Sequence, residues 1–579
     1  IIDGNQSGPV VTLEAEDHNY TGIIKNLSIY NGSGIEHSST RLKGGGGVFV
    51  RNDEHIATAI IDNCIITGND LNGSGKGSAV FFDFGSYGII RNSILKENIN
   101  LSEGVIFSWS DYLIENTLIT QNTSRVVFQH SSWSPSTPIV NQVTITNNFV
   151  PAGETDGYIL GTQFDSQFDF RNTNIVDNEQ QGLYIFGDSI GYNPSLSVNY
   201  CNADYPNVDG TGNIDVDPMF VDTANGNYNL LASSMLINAG HPESTDSDGS
   251  RADIGAYPYL NSYSGPTWYI TESGNDTIAT GASDHPFRSI QAGINFSSDA
   301  DSVTVAAGTY VENINFRGRN IKVVGEDRET TIIDGQQAGI VVDLPNVESS
   351  GYLIIKGFTI RNGYANGNMG NYGSFNQGAG IHVGHNYDPV YLSDLIIENC
   401  TAVSGGAGGA GGFGGGIFSE NSSLELSNVQ INNNSAVEKG GGLFFWGKPN
   451  DESTLNIENS YINGNSSNDG GGGVYLAKSP YGATIPIVQL SNTTVSNNIS
   501  LNNEGGGVYL NEVNATFENC IVSENTAANG AGINSISSTV TVNNSSISDN
   551  LTGGLGGAIA FWSTTTTLEN VDITGNVAS

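Results

Sequence analysis

Three groups of side chains in this chain could do chemistry. Asp246, Asp248 and Asp253 place hard oxygen ligands around the turn at Gly249, as Ca²⁺ coordination needs, although the twelfth-position Glu and flanking helices of a calcium-binding hand are missing. Asp215, Asp217 and Asp222 form a second acidic group, and for both groups a solvated turn is the favoured reading over a cation site. Phe418, Phe444, Tyr475 and Tyr509, with Phe49 and Phe81 in the first half, each follow an aliphatic residue that closes a Gly- or Ala-rich step. If that aliphatic residue points inward, the ring points outward, and an exposed aromatic ladder could stack sugar rings; with the parity reversed the rings join the core. The third group is scattered: Asp53 and Glu54 with His55, and Asp83 between Phe82 and Phe84, could furnish carboxylates in a cleft, yet nothing separates them from solvated loop acids. Lys43, Arg51, Arg91, Lys96, Arg125 and Arg171 do not recur at one phase, and no phosphate loop, dinucleotide fingerprint or nucleophile triad is present, so no catalytic residue is assigned.

What positions these groups is a repeat. An Asn precedes another Asn by six residues, with an aliphatic residue midway, at Asn428/Asn434, Asn459/Asn465, Asn492/Asn498, Asn519/Asn525, Asn544/Asn550 and Asn570/Asn576. The first half repeats the pattern at Asn63/Asn69, Asn92/Asn98, Asn116/Asn122, Gln142/Asn148 and Asn172/Asn178, and Ser393/Asn399 adds one more. Leading positions recur mostly every 24 to 33 residues, in phase with Gly turns and short Val-, Ile- and Thr-rich runs, and no segment shows a sustained helical period. This predicts an all-β chain, a right-handed parallel β-helix whose equivalent residues stack about 4.8 Å apart. The leading amides Asn428, Asn459, Asn492, Asn519, Asn544 and Asn570 are expected to form a structural ladder, each hydrogen-bonding up and down the stack.

Only 20 Lys and Arg stand against 59 Asp and Glu, a net charge of −39 that argues against nucleic acid and anionic membranes as partners. Cys64, Cys201, Cys400 and Cys520 lie far apart and read as coil residues. No transmembrane run occurs.

Ile1-Ile2-Asp3-Gly4 recurs as Ile332-Ile333-Asp334-Gly335, and the match continues without a gap at an offset of 331 residues. The chain thus reads as two tandem modules, residues 1–259 and 268–579, joined by a short link at 260–267. The first is expected to lack its opening and the second its closing segment, so the chain reads as a stretch of a longer polypeptide or as a unit that docks head to tail.

Trp268-Tyr269-Ile270, Pro286 to Ile294, Asp301 to Val305, Gly308-Thr309-Tyr310 and Val323-Val324-Gly325 resemble the opening of right-handed β-helix surface proteins of the pectin-lyase-like superfamily. The Gly and Asn repeats are similar to those of polymorphic outer-membrane proteins. Asn213 to Phe220, Leu236 to Gly240 and Asp253 to Tyr257 resemble the closing segment of bacterial choice-of-anchor proteins. The resemblance implies the fold, a short capping helix over Pro286 to Ile294, and export to a bacterial surface or medium. It leaves activity open, because the superfamily holds lyases, hydrolases, adhesins and inert stalks.

The expected function is that of an extracellular structural or adhesive protein, a stalk or fibre subunit with self-association or an extracellular glycan as partner. Two further readings stay open: a polysaccharide lyase or glycoside hydrolase, and a glycan-binding module without catalysis. The only cofactor the residues suggest is Ca²⁺.

Overall fold

A computed structural model describes residues 1–36, 43–52, 55–71, 73, 75–185, 195–205, 210–347, 350–366, 377–404 and 411–579. The chain divides into two compact units, Ile1–Asn261 and Ser262–Ser579. Each is a parallel β-helix. In the second unit the coils contribute strands to parallel sheets of 18, 9 and 8 strands. The first unit is built around a sheet assembly of 19 strands, with smaller sheets beside it.

The register shows why short aliphatic runs suffice. In the first unit Ile24, Ile61, Ile90, Ile114, Val140, Phe170 and Val198 pair coil on coil, and all are buried. In the second, Val323, Ile355, Leu392, Leu426, Ile457, Leu490, Phe517 and Val542 do the same. Each coil adds one or two inward side chains per strand, as Leu455 and Ile457 do, and at roughly 1.5–3 kcal/mol for each that leaves water they sum to a continuous core.

The Asn pattern splits into two columns with different tasks, which corrects the expected ladder. The leading residues Asn428, Asn459, Asn492, Asn519, Asn544 and Asn570 are exposed and have φ between 49 and 56°. They are left-handed bends, for which Asn is suited because its short polar side chain tolerates that region better than most. Their amides make only surface links, as in Asn570 Nδ2 donating to Asn544 Oδ1 at 3.1 Å and Asn428 Nδ2 to Asp394 Oδ1 at 2.7 Å. The buried ladder is the trailing column, Asn434, Asn465, Asn498, Asn525 and Asn550. Asn498 Oδ1 accepts both the backbone N–H and the Nδ2 of Asn465, at 3.0 Å each, while Asn498 Nδ2 donates to Asn525 Oδ1 at 3.0 Å and to the Ile462 carbonyl at 2.9 Å. Asn69, Asn98, Asn122 and Asn148 repeat this in the first unit, ending on Asn178. The pair Ser393/Asn399 is out of register by one: Asp394 holds the leading bend at φ 51°, and Cys400 occupies the ladder position, its N–H donating to Asn434 Oδ1 at 3.0 Å.

All four cysteines are free and buried, and burial pushes the thiols of Cys201 and Cys400 up to about 12, which leaves them unreactive. The capping helix runs Ile290–Phe296, later than expected. Phe287 exchanges backbone bonds with Tyr269 and Thr271, which keeps the start of the expected segment extended, and the helix begins only after the Ser289 cap. Glu312 completes its start, accepting from the N–H groups of Ile290 and Gln291 at 2.9 and 3.0 Å.

Candidate functional site

The aromatic columns exist, but they are not an exposed platform. Phe418, Phe444, Tyr475, Phe49 and Phe81 are buried, and Tyr509 is half-buried. The register places Phe418, Phe444, Tyr475 and Tyr509 directly opposite one another on successive coils. Their rings stack face to face with centroids 5.3, 5.1 and 4.7 Å apart and interplanar angles of 11, 2 and 6°. They form a cluster apart from the central aliphatic columns, with Phe413 and Trp446 against it. Phe49 and Phe81 stack at 5.0 Å beside Phe107 and Trp109. A sugar ring needs an open aromatic face. Here the faces within each stack are taken by the next ring, so the columns hold coils together.

A lysine that the sequence analysis passed over lies at the first-unit cluster. Lys76 Nζ sits 4.4 Å from the centroid of Phe107 and 4.2 Å from that of Trp109, with Glu103 Oε2 at 3.7 Å. Burial lowers its pKa, and the Glu103 carboxylate opposes that shift. Lys439 occupies the equivalent place five residues before Phe444, with Nζ 5.1 Å from the Tyr475 centroid. The shared Lys-Gly spacing ahead of the ring was the available signal.

The acidic groups are engaged in folding. The segment after Asn213 lies back along the first-unit sheet: Asn172 Oδ1 accepts the His241 N–H, Thr144 Oγ1 accepts the Ala256 N–H at 2.9 Å, and Tyr228 Oη meets Thr120 Oγ1 at 3.1 Å. Asp246 fastens this strap, taking Gln142 Nε2 and the Asp253 N–H, both at 2.8 Å. Asp253 accepts the N–H groups of Asn238 and Tyr259, each at 2.7 Å, and Asp248 accepts those of Ser250 and Asn261. Burial pushes the carboxyls of Asp246 and Asp253 up to about 6 and about 8. Among the described residues no three His, Cys, Asp or Glu side chains converge as a metal cage. Asp217 and Asp222 likewise bind nearby backbone N–H groups.

The bases named from the sequence are paired. Arg51 meets Glu14, Arg91 meets Asp62, Lys96 meets Glu97, Arg125 meets Asp156, and Arg171 donates to Asp169. Asp53, Glu54 and the Lys43 side chain lie outside the described residues. Asp62 is held by three partners, Asn92 Nδ2 at 3.0 Å, Lys25 Nζ at 3.1 Å and Arg91 Nη2 at 3.2 Å. The Asn92 hydrogen bond and the two cations hold it down at about 2 despite opposing desolvation. Because the folded value lies below the unfolded one, its stabilisation is present above about pH 4 and is lost as the pH falls from 4 to 2. Acid titration of folding should show that slope, and Asp62→Asn should flatten it; an unchanged acid limb would contradict the assignment.

Carboxylates of depressed and raised pKa on one face could suggest an acid and a base. Asp62 and Gln142, which holds Asp246, lie about three coils apart, or about 14 Å at 4.8 Å per coil. No direct pairing of the Asp62 and Asp246 carboxyls is seen: each is engaged by its own partners, Asp62 by Asn92 and Arg91 and Asp246 by Gln142 and the Asp253 N–H.

The second unit carries one outward polar group that the sequence analysis missed. Asn315, Asp343 and His382 precede Phe418 in the same column. His382 Nδ1 lies 2.8 Å from Asp343 Oδ1, and Asn315 Nδ2 donates to Asp343 Oδ2 at 2.6 Å. The imidazole lies against Phe418, with centroids 5.8 Å apart at 16°. Glu420 lies near enough that His382 and His385 oppose the upward shift that burial gives its carboxyl. Beside Asn315 and Asp343 opens a cavity of about 290 Å³. Two others are of about 390 Å³ under the strap, where Asn92, Asn116 and Gln142 face Thr245 to Ser247 and Ala256 to Pro258, and of about 430 Å³ beside Tyr461, lined largely by amides.

No protein-family model and no curated protein matches the chain. Among solved structures it is similar to the PL6 family alginate lyase AlyGC, at 9% identity and a TM-score of 0.26, over 96% of this chain and 97% of that one. A mutant of that enzyme aligns at 12% identity and a TM-score of 0.24, over 99% and 88%. Superposition at that level is poor, and the coil architecture stands on the strand register itself.

Proposed function

We propose that the chain is a structural segment of an extracellular bacterial protein, a stalk or fibre element in which each β-helix acts as a stiff spacer. The observation that carries this reading is the continuity of its columns. The buried amide ladder from Asn434 to Asn550, ending on Asn576, is unbroken, and the ring stack runs beside it. The lateral acids and bases singled out for chemistry bind neighbouring coils or backbone N–H groups. Such side chains resist separation of coils and leave few groups free to react. The charge of −39 suits a surface exposed to water and keeps neighbouring copies from collapsing onto one another.

Antibodies raised against each unit should label intact cells of the producing bacterium without permeabilisation, and electron microscopy of the labelled material should show rods or fibres. Labelling that requires permeabilisation would overturn the extracellular placement, and compact particles would overturn the spacer role.

A further inference from the structure

The cavity at the head of the second unit's ring column is lined by Asn313, Asn315, Asp343, Tyr364 and the turn of Ala338 to Ile340. We propose that it binds a single ring of a neutral sugar. The site is separate from the spacer reading, which holds whether or not the cavity is used.

Size sets the first limit. About 290 Å³ lies at the small end of the ~300–1,000 Å³ usual for small-molecule sites, enough for one sugar ring and too little for several. The lining sets the second. Three Asn amides, those of Asn313, Asn315 and Asn366, offer donors and acceptors, and Asp343 offers acceptors only, a set that matches vicinal hydroxyls. Asn313 Nδ2 is held by the Ile340 carbonyl at 2.8 Å, which leaves Oδ1 as its acceptor. Asp343 engages one lone pair on each oxygen with Asn315 and His382, and a carboxylate has about four such sites. Tyr364 is exposed, so its ring supplies the apolar wall that the buried columns cannot. Among the described residues no Lys or Arg lines the cavity, and a carboxylate does, which disfavours uronates, sulfates and phosphates on a chain of charge −39.

His382 is a positioning residue here. Clamped between Asp343 and the Phe418 face, its Nδ1 fixes the carboxylate's orientation without lining the cavity.

The full chain should be titrated by calorimetry and saturation-transfer NMR with methyl glucoside, methyl mannoside and methyl galactoside, with galacturonate as the anionic control. At least one neutral glycoside should bind with a Kd on the order of 1–10 mM, and galacturonate should bind at least about tenfold more weakly. Tyr364→Ala, a surface change that should leave melting unaltered, and Asp343→Ala should each weaken binding about tenfold or more. His382→Ala should weaken it too, and His382→Gln, which keeps a donor toward Asp343, should restore most of it. Failure of all three neutral glycosides to bind, galacturonate binding as tightly, or full binding by folded Tyr364→Ala would each overturn the assignment.

Discussion

Asn498→Leu should be among the most damaging single substitutions in the second unit, and Asn492→Leu, six residues earlier, a mild one. Losing the Asn498 amide leaves the Asn465 N–H without its acceptor and the Ile462 carbonyl without its amide donor in a dry interior, and it takes one of two partners each from Asn465 Nδ2, which keeps the Ile431 carbonyl, and Asn525 Oδ1, which keeps the residue-498 N–H. At roughly 1–3 kcal/mol for each unsatisfied buried group, partly relieved by relaxation, the cost is about 2–4 kcal/mol. Asn492 is exposed, and Leu there must hold φ near 49°, at a cost of about 1–2 kcal/mol. Asn492→Gly, free of that strain, should be close to neutral. Thermal melting followed by circular dichroism, with amide exchange localising the loss to coils around residues 465–525, checks the order. Equal effects at the two positions would contradict the division of labour between columns.

Phe444→Ala comes next. Phe444 is fully buried and touches the rings of Phe413, Phe418, Trp446 and Tyr475. Removing it opens a cavity that the regular strand spacing cannot close, so a loss of about 3–5 kcal/mol is expected. The same change should leave the neutral-sugar site intact wherever the protein remains folded, because the ring does not line that cavity. A small stability change would mean that the column is loosely packed and open to ligands, which would restore the platform reading.

Much of this architecture could be read from residue order, because a coil solenoid writes its geometry into period. The phase of Phe418 through Tyr509 put those rings on one column and left open whether it faced solvent or the core; they stack as a largely buried cluster apart from the aliphatic columns. What composition could not show is that rings repeating at every coil consume one another's faces, so outward parity does not mean exposure. The amide columns were misassigned for a related reason. Leading and trailing positions carry the same residue, and only φ and burial separate them. One clue was present: the trailing position is Asn in every pair that is in register, while Gln142 stands in the leading place, and the stricter column is the one that must satisfy a buried stack. His382 was missed because the aromatic column was started at Phe418, although Gly380-Ile381-His382 repeats the step of Gly416-Ile417-Phe418 one coil earlier. The anchoring of Asp246 depends on where the strap crosses the sheet, through Gln142 about a hundred residues away, and no local spacing encodes that; Asp248 and Asp253 are taken up by backbone N–H groups within the strap itself.

The most direct test of the spacer account is turnover. The purified chain should be incubated with neutral and uronate-containing polysaccharides, with and without Ca²⁺, while new reducing ends and unsaturated uronate absorbance are followed. The account predicts neither signal above that of the heat-denatured protein. Release of either product, abolished by a substitution on a lateral face, would show that the β-helix carries an enzyme's site and would contradict the structural role.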